Sequence, residues 1–190
     1  MINRSKQISL LFLLIAASVI AAYYVREYIP NFGEHNTANS TTSNTPSPHS
    51  NQPPRRPAFR LPDLDGELQS IENWDGQVIM VNFWATWCPP CRREMPAFVR
   101  LYEDYRDKGF VVIGIAIDDP QSVRDFVDPM DINYPILLGE KTGIDITTAY
   151  GNRLGALPFT VIIDRQGHII HTRRRELTYE EAETLIKPLL

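Results

Sequence analysis

At 190 residues the chain is long enough for one domain with extensions and short for two, and 43% apolar with 22% charged residues is an ordinary globular balance. The formal charge of -4 is unevenly spread: residues 1–57 carry five Arg/Lys against two Asp/Glu, a net of +3, and residues 58–190 carry fourteen against twenty-one, a net of -7. An acidic folded part with no basic stripe argues against nucleic acid as a partner.

The N-terminus reads as a membrane signal. Arg4 and Lys6 precede the uncharged run ISLLFLLIAASVIAAYYV, from Ile8 to Val25. At ~1.5 Å per residue it reaches roughly 27 Å, close to the thickness of a hydrocarbon core. Tyr23 and Tyr24 suit the far interface, and the positive residues keep the start of the chain in the cytoplasm, so everything after Val25 is expected outside. The run is longer than a usual signal core, which favours an uncleaved anchor within residues 1–30. The small residues of AAS and IAA keep a cleaved signal peptide as the alternative. No cysteine follows directly on the apolar stretch, which excludes a lipoprotein. Residues 31–57 are rich in Asn, Thr, Ser and Pro, with only Phe32 and Ala38 apolar. Such a stretch buries too little to offset its ordering entropy and reads as a disordered tether.

From residue 58 the pattern alternates strands and helices. QVIMVNFWA (77–85) is a buried strand, and 89–108 is helical. FVVIGIAI (110–117) is a second continuous apolar strand, and Asp119-Pro120 caps a helix with Val123, Phe126 and Val127 on one face. YPILLG (134–139) is a short strand or simply extended, and a short helix covers 143–150. FTVIID (159–164), a turn at Arg165-Gln166-Gly167 and HIIHTRRREL (168–177) make a hairpin. Thr178 and Glu181 form a capping box for a last helix. Strand-helix-strand followed by a hairpin and a closing helix implies an α/β fold, a central mixed sheet with helices on both faces.

The only two cysteines, Cys88 and Cys91, stand in WATWCPPC at the junction of the first core strand and the long helix. A structural disulfide stabilises by closing a long loop, and this pair closes almost none. Zinc asks for four ligands, and the sequence has no second cysteine pair; His168 and His171 are at odd spacing and do not share a strand face. A redox couple fits the position. At a helix start, free N–H groups and the macrodipole favour a thiolate on Cys88. Pro89 and Pro90 are tolerated there because first-turn N–H groups lack intrahelical partners. Cys88 is expected as the exposed attacker and Cys91, one turn in, as the shielded resolving thiol.

Along the helix, Cys91, Met95, Phe98, Tyr102 and Tyr105 form a core-facing stripe, and Glu94 falls on the same face. A carboxylate there is expected to be partly buried, with its pKa raised, and able to take the Cys91 proton. The alternative is an edge glutamate paired with Arg92, Arg93 or another arginine. Pro96 is expected to kink the helix. Asn82 interrupts the apolar strand and reads as a hydrogen-bonded structural amide. Trp84 reads as core, and Trp87 as surface beside Cys88.

The run VNFWATWCPPCRREMP resembles the membrane-anchored, extracytoplasmic thioredoxin-like proteins of bacteria, the TlpA/ResA group, and the likeness spans residues 58–190. It implies a thioredoxin fold. It also implies that Pro158 is a cis-proline facing the disulfide, that Leu157 offers its backbone to a bound peptide, and that Glu94 matches a glutamate of that group. The implied activity is thiol-disulfide exchange by the Cys88–Cys91 dithiol without a bound cofactor. The implied substrates are disulfides of exported proteins, apocytochrome c haem-site cysteines being the commonest, with electrons from a membrane thiol donor. Three alternatives stand beside it: a disulfide oxidant or isomerase using the same dithiol; a peroxiredoxin-type peroxidase, for which Thr86 is suggestive but the upstream proline pattern is missing; and a copper- or haem-handling thiol chaperone.

Overall fold

A computed structural model describes residues 53–190. The expected membrane segment and most of the expected tether lie outside the described residues. Among the described residues, no helix is long and apolar enough to cross a membrane.

An antiparallel hairpin, β1 (Arg60–Pro62) and β2 (Leu68–Ser70), leads into the first core strand, β3 (Val78–Trp84). There follow α1 (Pro89–Tyr105), β4 (Phe110–Ala116), α2 (Pro120–Val127), β5 (Ile136–Leu138) and α3 (Glu140–Ala149). The chain closes with β6 (Phe159–Ile163), β7 (Ile169–Arg173) and α4 (Tyr179–Ile186). The five-stranded sheet has the order β5-β4-β3-β6-β7. β4 runs parallel to β3 and β5, and β6 antiparallel to β3 and β7. This is the expected α/β mixed sheet of a thioredoxin-like fold.

Every residue of β3 and β4 is buried, as strands covered on both sides require. Side-chain alternation therefore divides the core in two. Ile79, Val81 and Phe83 join Ile113, Phe159 and Val161 on one face, under Phe59, Leu61 and Tyr150. Val78, Met80 and Trp84 lie on the other face, under Cys91, Met95 and Phe98 of α1, Val123 of α2 and Ala182 of α4. Gly114 makes that second face possible near Trp84. A Cβ at Gly114 would stand 2.7 Å from Ile136 Cδ1, 3.2 Å from Trp84 Nε1 and 3.3 Å from Tyr134 Cε2. All three neighbours are core side chains with little room to retreat.

Several boundaries differ from the sequence reading. The long helix ends as an α-helix at Tyr105; a 3-10 turn, Arg106–Lys108, and the left-handed Gly109 carry the chain into β4. It continues as one α-helix through Pro96. Leu101 is fully buried on its core face, whereas Tyr102 is half-buried. The helix expected at 143–150 is already under way at Glu140. The folded unit also takes in residues that composition gave to the tether. Arg55 bridges His168, the Arg56 N–H donates to the Gly167 carbonyl at 2.8 Å, and the buried Arg56 side chain pairs with Asp75 and Glu72. Composition could not show this, because the anchor is a long-range ion pair. The capping box of α4 is present as expected, Thr178 accepting from the Glu181 N–H and Glu181 from the Thr178 N–H.

Candidate active site

The site lies where β3 gives way to α1. Cys88 is the N-cap of α1, in extended conformation, and its sulfur accepts from the Cys91 N–H at 3.4 Å. The prolines explain why that N–H is the available one. Pro89 and Pro90 occupy the first two helical positions and carry no N–H, so the first free amide of the helix belongs to Cys91. The Arg92 N–H closes the first regular turn onto the Cys88 carbonyl at 3.2 Å. A helix terminus thus directs its one free donor at the sulfur, an arrangement that favours a thiolate once the disulfide opens.

Cys88 and Cys91 are joined as a disulfide. Cys91 is fully buried, as expected of a shielded thiol. Cys88 is only 3% exposed, which corrects the expectation of an openly exposed attacker. The reason is local packing: in the disulfide both cysteines belong to the apolar cluster with Trp84, Ala85 and Met95. Exposure at this edge comes instead from Trp87, at 66%. The loop carrying Trp87 is tied down by Asp118, whose carboxylate accepts from the Thr86 N–H at 3.0 Å and from the Thr86 hydroxyl.

Pro158 is reached through a cis peptide bond from Leu157. In the antiparallel β3–β6 pairing Phe83 faces Phe159, so the chain leaving β3 toward Cys88 and the chain entering β6 from Pro158 meet at the same end of the sheet. Leu157 is half-buried and precedes the β3–β6 ladder, which starts at Phe159.

Glu94, one turn beyond Cys91, is 1% exposed, more deeply buried than its position on the stripe suggested. No arginine pairs with it among the described residues; Arg93 instead pairs with Glu176 at 2.6 Å. Its partners are neutral. Asn82 Nδ2 donates to Oε1 at 2.8 Å, and the Leu177 N–H donates to Oε2 at 3.0 Å. Asn82 Nδ2 also donates to Thr160 Oγ1 at 3.1 Å. Burial pushes the Glu94 pKa up to about 8, against the two donors, which pull it down; the nearby Glu176 charge adds to the rise. A group with such a pKa exchanges protons near neutral pH.

Asn82 is therefore the hydrogen-bonded amide expected of it, but its partner is the candidate base. Thr160 and the Leu177 N–H were not singled out from the sequence. Thr160 carried a signal, as a polar residue interrupting FTVII in the strand that pairs with β3, where Asn82 faces Thr160. Leu177 carried none, because only the tertiary fold brings that backbone to α1.

A family model described as AhpC/TSA family matches residues 55–172, more than half of the chain. The chain is 37% identical over 134 residues to the thiol-disulfide oxidoreductase ResA of Halalkalibacterium halodurans, covering 68% of this chain and 74% of that protein. It belongs to the ResA-like thiol-disulfide oxidoreductases of the AhpC/TSA family. The thioredoxin-like protein YneN of Bacillus subtilis is similar too, 38% identical over 130 residues, with 67% of this chain and 74% of that protein covered. Among solved structures, a thioredoxin-family thiol:disulfide interchange protein from Chlorobium tepidum superposes with a TM-score of 0.66 at 27% identity, over 73% of this chain and 97% of that one. The ResA-like enzyme is thus a thiol-disulfide oxidoreductase on a thioredoxin-like fold. Its Thr86 hydroxyl, the residue that had suggested a peroxidase, is committed to Asp118.

Proposed function

We propose that this enzyme is tethered to the outer face of the cytoplasmic membrane and reduces particular disulfides of exported proteins, apocytochrome c haem-site cysteines among them. The observation that carries the chemical part is the position of Glu94, a buried acid with a raised pKa one turn beyond the buried half of the dithiol. In the reduced enzyme, the Cys88 thiolate attacks a substrate disulfide. One S–S bond forms between Cys88 and the substrate as the substrate bond breaks, and the substrate's other sulfur leaves as thiolate. Glu94 takes the proton of Cys91. The Cys91 thiolate then attacks the Cys88 sulfur, closing the disulfide and releasing the second substrate thiolate. Two electrons pass from enzyme to substrate. A membrane thiol donor restores the dithiol, returning the two electrons.

Trp87 and Leu157–Pro158 are the substrate-facing surface in this reading, at the sheet end where the disulfide lies. The apolar run of residues 8–25 and the sequence resemblance support the membrane placement and the direction of electron flow. A Cys91→Ser variant tests the assignment, because it halts the reaction at the mixed disulfide. Exported proteins with haem-type cysteine pairs should be recovered covalently attached at Cys88 and identified by mass spectrometry. Recovery of cytoplasmic proteins alone would overturn the compartment and the substrate class.

A further inference from the structure

Both oxygens of Glu94 face donors: Oε1 the Asn82 amide and Oε2 the Leu177 N–H. That arrangement satisfies a carboxylate. A neutral carboxylic acid has an O–H of its own and needs an acceptor. Oε2 faces a backbone N–H that cannot turn, because Leu177 immediately precedes the capping box of α4. The proton of the neutral acid therefore belongs on Oε1, whose partner among the described residues is a donor, Asn82 Nδ2, so the new O–H meets no acceptor there. Turning the Asn82 amide over removes the conflict by presenting Oδ1 to Glu94. The amide's second partner suits both positions. Thr160 Oγ1 accepts from Nδ2 in the orientation observed, and a hydroxyl can equally donate to Oδ1 after the turn.

We propose that Asn82 is a positioning residue whose amide takes two orientations, following the proton on Glu94, with the Thr160 hydroxyl completing the network in both. Among the described residues, the other groups near Glu94 that can titrate are Tyr134 ahead of β5, Glu176 beside Leu177, already paired with Arg93, and, once the disulfide opens, Cys91 on α1. No Arg or Lys pairs with Glu94 among the described residues, so the two neutral donors are what favour its charged form. Burial and these donors act in opposite directions on Glu94. Both protonation states are therefore within reach near neutral pH, and a network that serves only one would hinder the other.

The inference rests on Glu94 as proton acceptor, yet it is testable without turnover. In the oxidised full-length chain, labelled with carbon-13 and nitrogen-15, a pH titration by NMR follows the Glu94 carboxyl carbon and the Asn82 side-chain amide. The two should titrate with one shared midpoint. Asn82→Leu should move the Glu94 midpoint upward, by about one pKa unit at most, since it removes a hydrogen bond from both forms and the charge-assisted one to the carboxylate is the stronger. Thr160→Val should move it upward by less. There the charged state leaves an Asn82 N–H without its acceptor, whereas in the neutral state Oδ1 still receives the Glu94 O–H. Thr160→Ser should restore the wild-type midpoint; this valine–serine pair carries the test if Asn82→Leu does not fold. An Asn82 amide that stays fixed while Glu94 titrates overturns the proposal, even if Glu94 proves to be the base. A coupled titration upholds it, even if Glu94→Gln resolves mixed disulfides normally.

Discussion

The two faces of the central sheet are built on different principles. Under Phe59, Leu61 and Tyr150, β3 presents Ile79, Val81 and Phe83, and β6 presents Phe159, Val161 and Ile163, every one apolar. Under α1, the same two strands present Asn82 and Thr160 between Met80, Trp84 and Ile162, and α1 adds a buried carboxyl. Burying a carboxyl and an amide costs free energy that an apolar core avoids, even when they are hydrogen-bonded. The first face is arranged for stability. The second gives up some stability to hold a titratable group one turn from a buried thiol.

That contrast can be broken by substitution. The largest expected effect is at the sulfur itself. Cys88→Ala should abolish the reduction of insulin disulfides by the full chain, and retained turnover would refute the exchange chemistry. Glu94→Gln follows. It should slow resolution of the mixed disulfide by about 10²–10⁴-fold, the usual contribution of a positioned acid or base, while the first attack is slowed far less. Stopped-flow kinetics with a preformed mixed disulfide separate the two steps, and equal slowing of both would contradict the contrast.

On the apolar face the expectation reverses. Phe83→Ala should cost about 3–5 kcal/mol in urea unfolding, the range for a buried aromatic truncated to alanine, and leave the rate per folded molecule unchanged. The faces also differ in pH dependence. Burial raises the Glu94 pKa from the ordinary glutamate range to about 8, so between the two the folded chain holds a proton there that the unfolded chain has released. This contribution to stability is complete below the ordinary glutamate range and is lost as pH rises through about 8. Wild type should lose that stability across the window, and Glu94→Gln should not; parallel unfolding profiles would show that Glu94 does not titrate in the fold. The smallest effect belongs to neither face. Thr178→Ala removes the N-cap of α4 and should cost about 1 kcal/mol in urea unfolding.

Much of this architecture was legible in the sequence, for stated reasons. Continuous apolar runs marked β3 and β4, which are covered on both sides. Thr178 with Glu181 marked the start of α4, because a capping box is a local device. Cys88 at the junction of strand and helix marked the helix N-terminus, where position alone gives the sulfur its donor. Glu94 was placed on the core face by its spacing of three from Cys91. What lay beyond reach was non-local. The depth of Glu94, the Leu177 N–H and the Thr160 hydroxyl depend on segments that meet only in the folded chain. The low exposure of Cys88 depends on packing against Trp84 and Met95, which helix position does not reveal. The attachment of Arg56 to Asp75 and Glu72 escaped a compositional reading for the same reason.

The central claim is that Glu94 takes the proton of Cys91 when the mixed disulfide resolves. The most direct measurement is the rate of that single step against pH, in wild type and in Glu94→Gln, from a mixed disulfide preformed at Cys88. The wild-type rate should rise with pH through a midpoint near 8, the pKa that burial gives Glu94, and the variant should be slow and lack that titration. Two coincident profiles would contradict the account.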